Sequence, residues 1–234
     1  MLSLANSHTL ETKMLKLADI QKRLLHFGLV ALALCVLPVA VALAGPAEDG
    51  FAQMRALHDA EKPQELVDQF KDVDLSTWPE AARAFHLRGH AYLQLKDAAN
   101  AERDLEAAVE RSPKNGYFWH SLAETYRRFL KDDARALNAY NKAFEMVRAD
   151  NGGQKPYGWM PINATLEAAT ILLHQTKYAE ALKVMERYDD SDAERLGVYW
   201  GRRMLRMYGH IYAAMGREEE CLAKFHAALE LEKK

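Results

Sequence analysis

Residues 82–115 read ARAFHLRGHAYLQLKDAANAERDLEAAVERSPKN, and the stretch starting at 116, GYFWHSLAETYRRFLKDDARALNAYNKAFEMVR, follows the same order of residue types 34 residues later. In the first copy Phe85, Gly89, Ala91 and Tyr92 fall on one predicted helix, Asp97 marks a turn, and Ala101, Leu105, Ala108 and Pro113 fall on a second. The second copy carries Trp119, Leu122, Ala123, Tyr126, Ala136, Tyr140 and Ala143 in the same order, with one extra residue at its inner turn. Self-similarity at this period belongs to chains built by stacking one supersecondary unit, where each unit hides its apolar face only against its neighbours.

A third copy starts near Ile162 with Ala169, Leu172, Tyr178, Ala181 and Met185. A fourth starts at Arg202 with Gly209, Tyr212, Gly216, Cys221, Phe225 and Ala228. Residues 45–81 read as a degenerate opening copy in which Leu57, Leu66, Phe70 and Val73 take the large slots and Met54 replaces the small residue. These residues resemble the tetratricopeptide repeat: an aromatic near the start, a small residue four further on, an aromatic three after that, then Ala, a bulky residue and Ala. The resemblance covers nearly everything after residue 44 and implies an all-α fold, antiparallel helix pairs stacked into an α-α superhelix. Small residues let the paired helices approach, and large ones fill the space between pairs. Cys221 takes a slot that usually holds Ala, so it reads as a small buried residue and not a reactive thiol.

The resulting division is 1–44 export segment, 45–81 degenerate capping repeat, 82–148 two repeats, 149–161 connector and 162–234 two further repeats. The connector contains Gly152, Gly153, Pro156, Gly158 and Pro161 and cannot continue a helix. It interrupts the stack, and Trp159 either pins it down or faces a partner. Ser191 and Glu194 form a capping-box pattern ahead of one predicted helix of about 24 residues that runs through Gly197 and Gly201.

The uncharged run Phe27–Ala47 follows Lys22 and Arg23 and contains Ala42-Leu43-Ala44-Gly45, the layout of an export signal cut after Ala44. Uncut, residues 27–47 would anchor the chain as a signal-anchor helix; translation from Met14 would shorten the flank before the run. In either case the basic flank keeps its end in the cytoplasm and places residues 45–234 outside the cytoplasmic membrane, periplasmic or secreted. Removing Lys13, Lys16, Lys22, Arg23, Glu11 and Asp19 with that segment leaves 27 basic and 31 acidic side chains of the 31 and 33 in the chain, which gives no footprint for nucleic acid. With 49% apolar residues the chain can bury a sizeable core. Two cysteines, Cys35 and Cys221, exclude a disulfide framework in the repeats.

No phosphate loop, nucleophile elbow, zincin motif or CxxC pair occurs, so no catalytic residues and no cofactor are assigned. Asn163-Ala164-Thr165 matches a glycan acceptor by chance at a helix start. The resemblance implies a concave groove lined by the first helices at the second, fifth, ninth, twelfth and thirteenth slots. Those slots include Arg83, His86 and His90, then His120, Glu124, Arg127 and Arg128, then His174, and in the last copy Arg203, Arg206 and His210. The carboxylate-clamp variety of this family uses Lys and Asn where this chain has His86 and His90, so that mode is not implied. Five arginines against Glu124 favour an anionic or hydrogen-bond-accepting partner protein or peptide. The function read from the sequence is an exported scaffold that holds such a partner. A rival reading is a metal-binding or enzymatic helical-repeat protein that uses the groove histidines: His86, His90, His120 and Glu124 converge on a metal such as zinc, or serve as groove imidazoles that charge near pH 6.5. A second rival is a spacer whose groove is filled by its own 149–161 segment.

Overall fold

The computed structural model describes residues 46–233, and among the described residues every regular element is a helix. The export signal and its cut after Ala44 lie outside them; none of the described helices is long and apolar enough to cross a membrane. The stacked helix pairs lie in one compact unit, Phe51–Lys234.

Among the described residues eleven α-helices succeed one another: α1 (Pro46–Asp59), α2 (Pro63–Phe70), α3 (Ala81–Gln94), α4 (Ala98–Arg111), α5 (Gly116–Glu124), α6 (Asp133–Asp150), α7 (Trp159–His174), α8 (Tyr178–Met185), α9 (Asp192–Arg195), α10 (Gly197–Ala214) and α11 (Glu218–Glu232). Helix α5 runs on without a break into a π-helical turn, Thr125–Leu130. The repeat shows itself most directly at the inner turns. In each a backbone N–H reaches back to the carbonyl of the last large core residue: Lys62 to Leu57, Asp97 to Tyr92, Asp132 to Tyr126, Lys177 to Leu172 and Arg217 to Tyr212, all at 2.9 Å. The residue before each donor is left-handed, with φ of 54° at Glu61, 64° at Lys96, 57° at Lys131, 61° at Thr176 and 72° at Gly216. This closure satisfies carbonyls that a helix end leaves orphaned. The degenerate first copy uses it too, although Met54, fully buried, stands where the small residue should be.

Within a repeat the small slot decides how close the helices come. A Cβ on Gly89 would lie 2.9 Å from Leu105 Cγ, and one on Gly209 2.9 Å from Phe225 Cζ. Ala123 and Ala169 fill the same slot without any exposure. Cys221 is only half-buried, because α11 has no further helix over its outer side among the described residues.

Two apolar clusters result. One joins Leu105, Phe118, Leu122, Tyr126, Tyr140 and Met160; the other joins Leu166, Leu172, Met185, Tyr188, Met204, Tyr208 and Leu231. Helix α7 belongs to both, giving Ala164, Ala168 and Ile171 to the first and Ile162, Leu166, Ala169 and Leu172 to the second. A helix sandwiched in this way must be apolar on most of its circumference, which accounts for the buried Ile162, Ala164, Leu166, Ala168, Ala169, Ile171 and Leu172. The stack therefore continues across the connector through α7.

The connector is anchored to the third repeat. Where the other repeats place Ala108, Ala143 and Ala228, the third has Tyr188, wholly buried, whose hydroxyl donates to the Pro156 carbonyl at 2.6 Å. Asp192, also buried, accepts from Lys155 Nζ at 2.5 Å, from the Tyr157 hydroxyl at 2.6 Å and from the Asp189 N–H at 2.7 Å. This anchoring holds Lys155, Pro156 and Tyr157 against the segment that follows α8, and of the 149–161 segment Trp159 is the residue that lines the groove cavity. The predicted single helix after Ser191 is also corrected: it breaks between α9 and α10 at Gly197, whose φ is +77°. Ser191 makes no side-chain cap. Gly201 then lets the two pieces fold together, since a Cβ there would sit 2.2 Å from the Ala193 carbonyl oxygen.

One buried ion pair ties the opening repeat to the next. Arg88, 5% exposed, donates to Asp104 through Nε at 2.6 Å and Nη2 at 3.0 Å. Its Nη1 donates to the carbonyls of Phe70 and Val73, at the end of α2 and just beyond it, at 2.7 and 3.1 Å. Between α3 and α5 the contact is His86, stacked on Phe118 at 4.7 Å with Nε2 2.9 Å from Ser121 Oγ. Burial first, then the neighbouring His90 and His58, pulls its pKa from 6.5 down to about 4.

Urea titrations monitored by helical circular dichroism check three expectations. Replacing Thr176, a β-branched residue in the left-handed region, by Gly raises stability by about 1 kcal/mol; an unchanged or lower midpoint contradicts the turn geometry. Asp104→Ala lowers stability by about 3–5 kcal/mol because it strands the Arg88 charge, while pairing Arg88→Met with Asp104→Leu recovers most of that loss. His86 is depressed in the folded state, so the unfolded chain takes up the proton first; stability is full above pH 6.5 and falls as pH drops toward 4. His86→Gln should flatten that acid limb, and an unaltered limb would place the proton uptake elsewhere.

Candidate partner-binding groove

The first helices α3, α5, α7 and α10 are joined side by side through residues at or beside the predicted groove slots. His58 and His90 rings lie 5.3 Å apart, His86 reaches Ser121, and His120 Nε2 lies 2.8 Å from Asn163 Oδ1. Further along, Glu167 on α7 accepts Arg127 Nε at 3.0 Å and has Arg203 Nη2 at 3.9 Å. Much of what the sequence offered as ligand-facing polarity therefore holds neighbouring repeats together.

The π-helical turn makes the exception. The extra residue of the second copy is absorbed there, as single-residue insertions in helices commonly are. It widens the end of α5 and leaves Arg128 and Phe129 exposed, Phe129 by 38%. Opposite it, Gly158, with a φ of +154°, swings the chain into α7 so that Trp159 stands at the helix start, 52% exposed. The Trp159 ring meets His120 edge-on at 5.3 Å and Tyr117 at 6.2 Å, which pins one face and leaves the other open.

Between these features lies a cavity of about 370 Å³. Leu93, Phe129 and Trp159 supply its apolar wall; His90, Gln94, His120, Ser121, Glu124 and Arg128 supply polar groups. Glu124 is already engaged, accepting from the Tyr140 hydroxyl at 2.6 Å and pairing with Arg128 Nε at 2.5 Å. His90 is not: its Nδ1 is buried and has no hydrogen-bond partner among the described residues. Burial and the nearby His58 lower the His90 pKa, so its ring stays neutral and offers one donor or acceptor atom at neutral pH.

Four of the predicted groove residues, His90, His120, Glu124 and Arg128, thus line one cavity. His86 sits behind Ser121. Arg83 is exposed and pairs with Glu80 at 3.4 Å, outside the cavity. His174 and His210 are exposed elsewhere, His210 edge-on to Phe225 at 5.3 Å. Arg206 lines a separate cavity of about 190 Å³ beside Phe225 and Leu229. Glu167, which falls one place after a counted slot, pairs with Arg127 and lies 3.9 Å from Arg203, so part of the arginine charge is matched within the chain. Convergence of His86, His90, His120 and Glu124 on a metal is not what the geometry gives: among the described residues no three His, Cys, Asp or Glu side chains are grouped as ligands. The imidazoles expected to charge near pH 6.5 include His86 and His90, and burial holds both below that value. Phe129 was missed by slot counting, since the insertion shifts it; the extra residue before Asp132 was its only signal.

A larger cavity, about 530 Å³, lies between the segment after α8 and the last helix pair, walled by Glu186, Asp189, Asp190, Tyr208 and Tyr212. Its acids are largely matched within the chain, Asp190 by Lys224 and Asp189 by Lys155 at 3.1 Å. It lacks the exposed aromatic wall of the first.

Residues 82–115 match the tetratricopeptide repeat family. Comparison with curated proteins gave no match. Among solved structures the chain is similar in fold to MamA, with a TM-score of 0.64 at 14% identity over 80% of this chain and 92% of that one. It is similar also to YrrB, described as a TPR protein with an unusual peptide-binding site, with 0.62 at 16% over 85% and 92%. A third is BtubC from P. vanneervenii, with 0.59 at 16% over 83% and 85%.

Proposed function

We propose that this protein is an exported scaffold, without catalytic chemistry of its own, that holds an extended segment of a partner protein in the cavity between α3, α5 and the start of α7. The observation that carries the reading is that two exposed aromatic rings, Phe129 and Trp159, and the half-buried ring of His90 line the same space. A side chain from the partner that is apolar at its core enters between the rings, and a polar group beside it meets His90. Arg128, most exposed of the cavity's charged groups, then takes a carboxylate or backbone carbonyl at the rim. Desolvated aromatic anchors ringed by polar contacts are the usual centres of binding energy. The matched repeat at 82–115 and the fold of a peptide-binding TPR protein support this use of the groove. Export is read from Lys22, Arg23, the apolar run and Ala42-Leu43-Ala44.

The test has two arms. Partner proteins captured from the cell envelope by the wild-type chain are identified by mass spectrometry, and the segment bound is remeasured by calorimetry. Trp159→Ala and Phe129→Ala should each weaken that binding by about 30-fold or more, and Arg83→Glu by less than about twofold. Loss with Arg83→Glu and none with Trp159→Ala would move the interface off this cavity. In the second arm, sequencing the amino terminus of the envelope-associated protein should give Gly45 if the signal is cut. Recovery in the cytoplasmic fraction alone would remove export from the reading.

A further inference from the structure

Helix α11 carries a second surface that the groove does not use. Its outward stripe is Glu219, Leu222, His226, Leu229 and Lys233, all exposed and separated by three, four, three and four residues. Leu222 and Leu229 are 60% and 58% exposed, on a helix whose other side is packed by Phe225, Ala228 and Leu231. This spacing is the a/d seam of a coiled coil, which a partner helix fills with knobs into holes. The charges say which partner. Glu219 and Lys233 lie seven residues before and seven after His226, so these two charges exchange places when the stripe is reversed, while the leucines, four before and three after, fall one residue out of level and interleave.

We propose that two copies of this chain pair antiparallel along α11, about a two-fold axis at His226. Glu219 of each copy then meets Lys233 of the other, Leu222 packs near Leu229 of the other, and the two His226 side chains face across the axis. A parallel pair would place Glu219 on Glu219 and Lys233 on Lys233. Within one copy Lys233 meets Glu230 at 2.6 Å, with both side chains about two-thirds exposed, a contact easily exchanged. A 15-residue helix gives a seam of only about 22 Å, so the dimer is of the weak class and exchanges at micromolar concentrations. Isologous two-fold contacts of this kind close on themselves and leave no open end for fibres.

The experiment uses the full chain in a mild non-ionic detergent with Cys35→Ser and Cys221→Ala as background. Facing residues on helices about 8–10 Å apart bring their Cα atoms within disulfide reach. His226→Cys should therefore oxidise to a reducible species of twice the mass, while His210→Cys, exposed on α10, stays monomeric. Added to His226→Cys, Glu219→Lys or Lys233→Glu alone should lower the dimer yield about tenfold at limiting concentration, because each reversal acts twice per dimer. Both reversals together should restore it. Equal cross-linking through position 210, no cross-linking through 226, or reversals that add instead of cancelling would each overturn the antiparallel dimer; the last result would indicate a different protein on this face.

Discussion

Gly89 sets the distance between α3 and α4, because any Cβ there would run into Leu105. Ala123, Ala169 and Gly209 hold the same station in the following repeats, and the larger residues that face them, Leu105, Tyr140, Met185 and Phe225, fill the space so released. Once that approach is fixed, the inner turn has one way to close, with a left-handed residue and a bond back to the last core carbonyl. Stacking then follows, since a helix pair this close presents a flat apolar side to the next pair and to nothing else. The first helices are consequently brought side by side, and the groove is a product of the small residues before any ligand-facing residue is chosen.

The two departures from the repeat are where the chain acquires its particular features. One inserted residue turns the end of α5 into a π-helical turn and projects Arg128 and Phe129. One oversized residue, Tyr188 in a slot that elsewhere holds Ala, fills the place of the missing second-helix packing and secures the connector through Pro156. Asp192 completes that anchorage, so Gly158 and Trp159 enter α7 from a fixed direction. The cavity thus has one wall made by the insertion and another supported by the substitution, and a perfectly regular repeat array would have neither.

The stack, its period and its small slots were legible in the sequence because close packing allows only a few residue types at those positions. Even the weak opening repeat could be placed, from Leu57, Leu66 and Phe70. The broken helix at Gly197 was not legible: the periodic pattern runs through it, and only the left-handed φ of that residue separates α9 from α10. Four of the predicted groove residues did converge, yet slot counting took exposed polarity for free polarity. It could not see that His86, His120 and Arg127 face partners on the adjacent helix, since Ser121, Asn163 and Glu167 come 35 to 43 residues later and no local rule connects them. Phe129 escaped for a related reason, because an insertion changes which side of a helix every later residue occupies.

With Arg128 paired to Glu124, and Glu167 shared between Arg127 and the more distant Arg203, long-range attraction would contribute less to the proposed capture than five free arginines would. In the proposed function, recognition rests on the fit of an apolar group between Phe129 and Trp159 beside the His90 ring, contacts that act at short range and control residence time more than encounter rate. One cavity of about 370 Å³ holds only a short segment, and a single short segment binds weakly. The α11 stripe bears on that weakness. It shares no residue with the cavity, so a dimer formed along it carries two open grooves. A partner that presents two copies of the bound segment would engage both, the second at the high effective concentration set by the linkage. Short grooves on a reversible dimer would in this way distinguish an assembled partner from a solitary one without any contact being added to the groove itself.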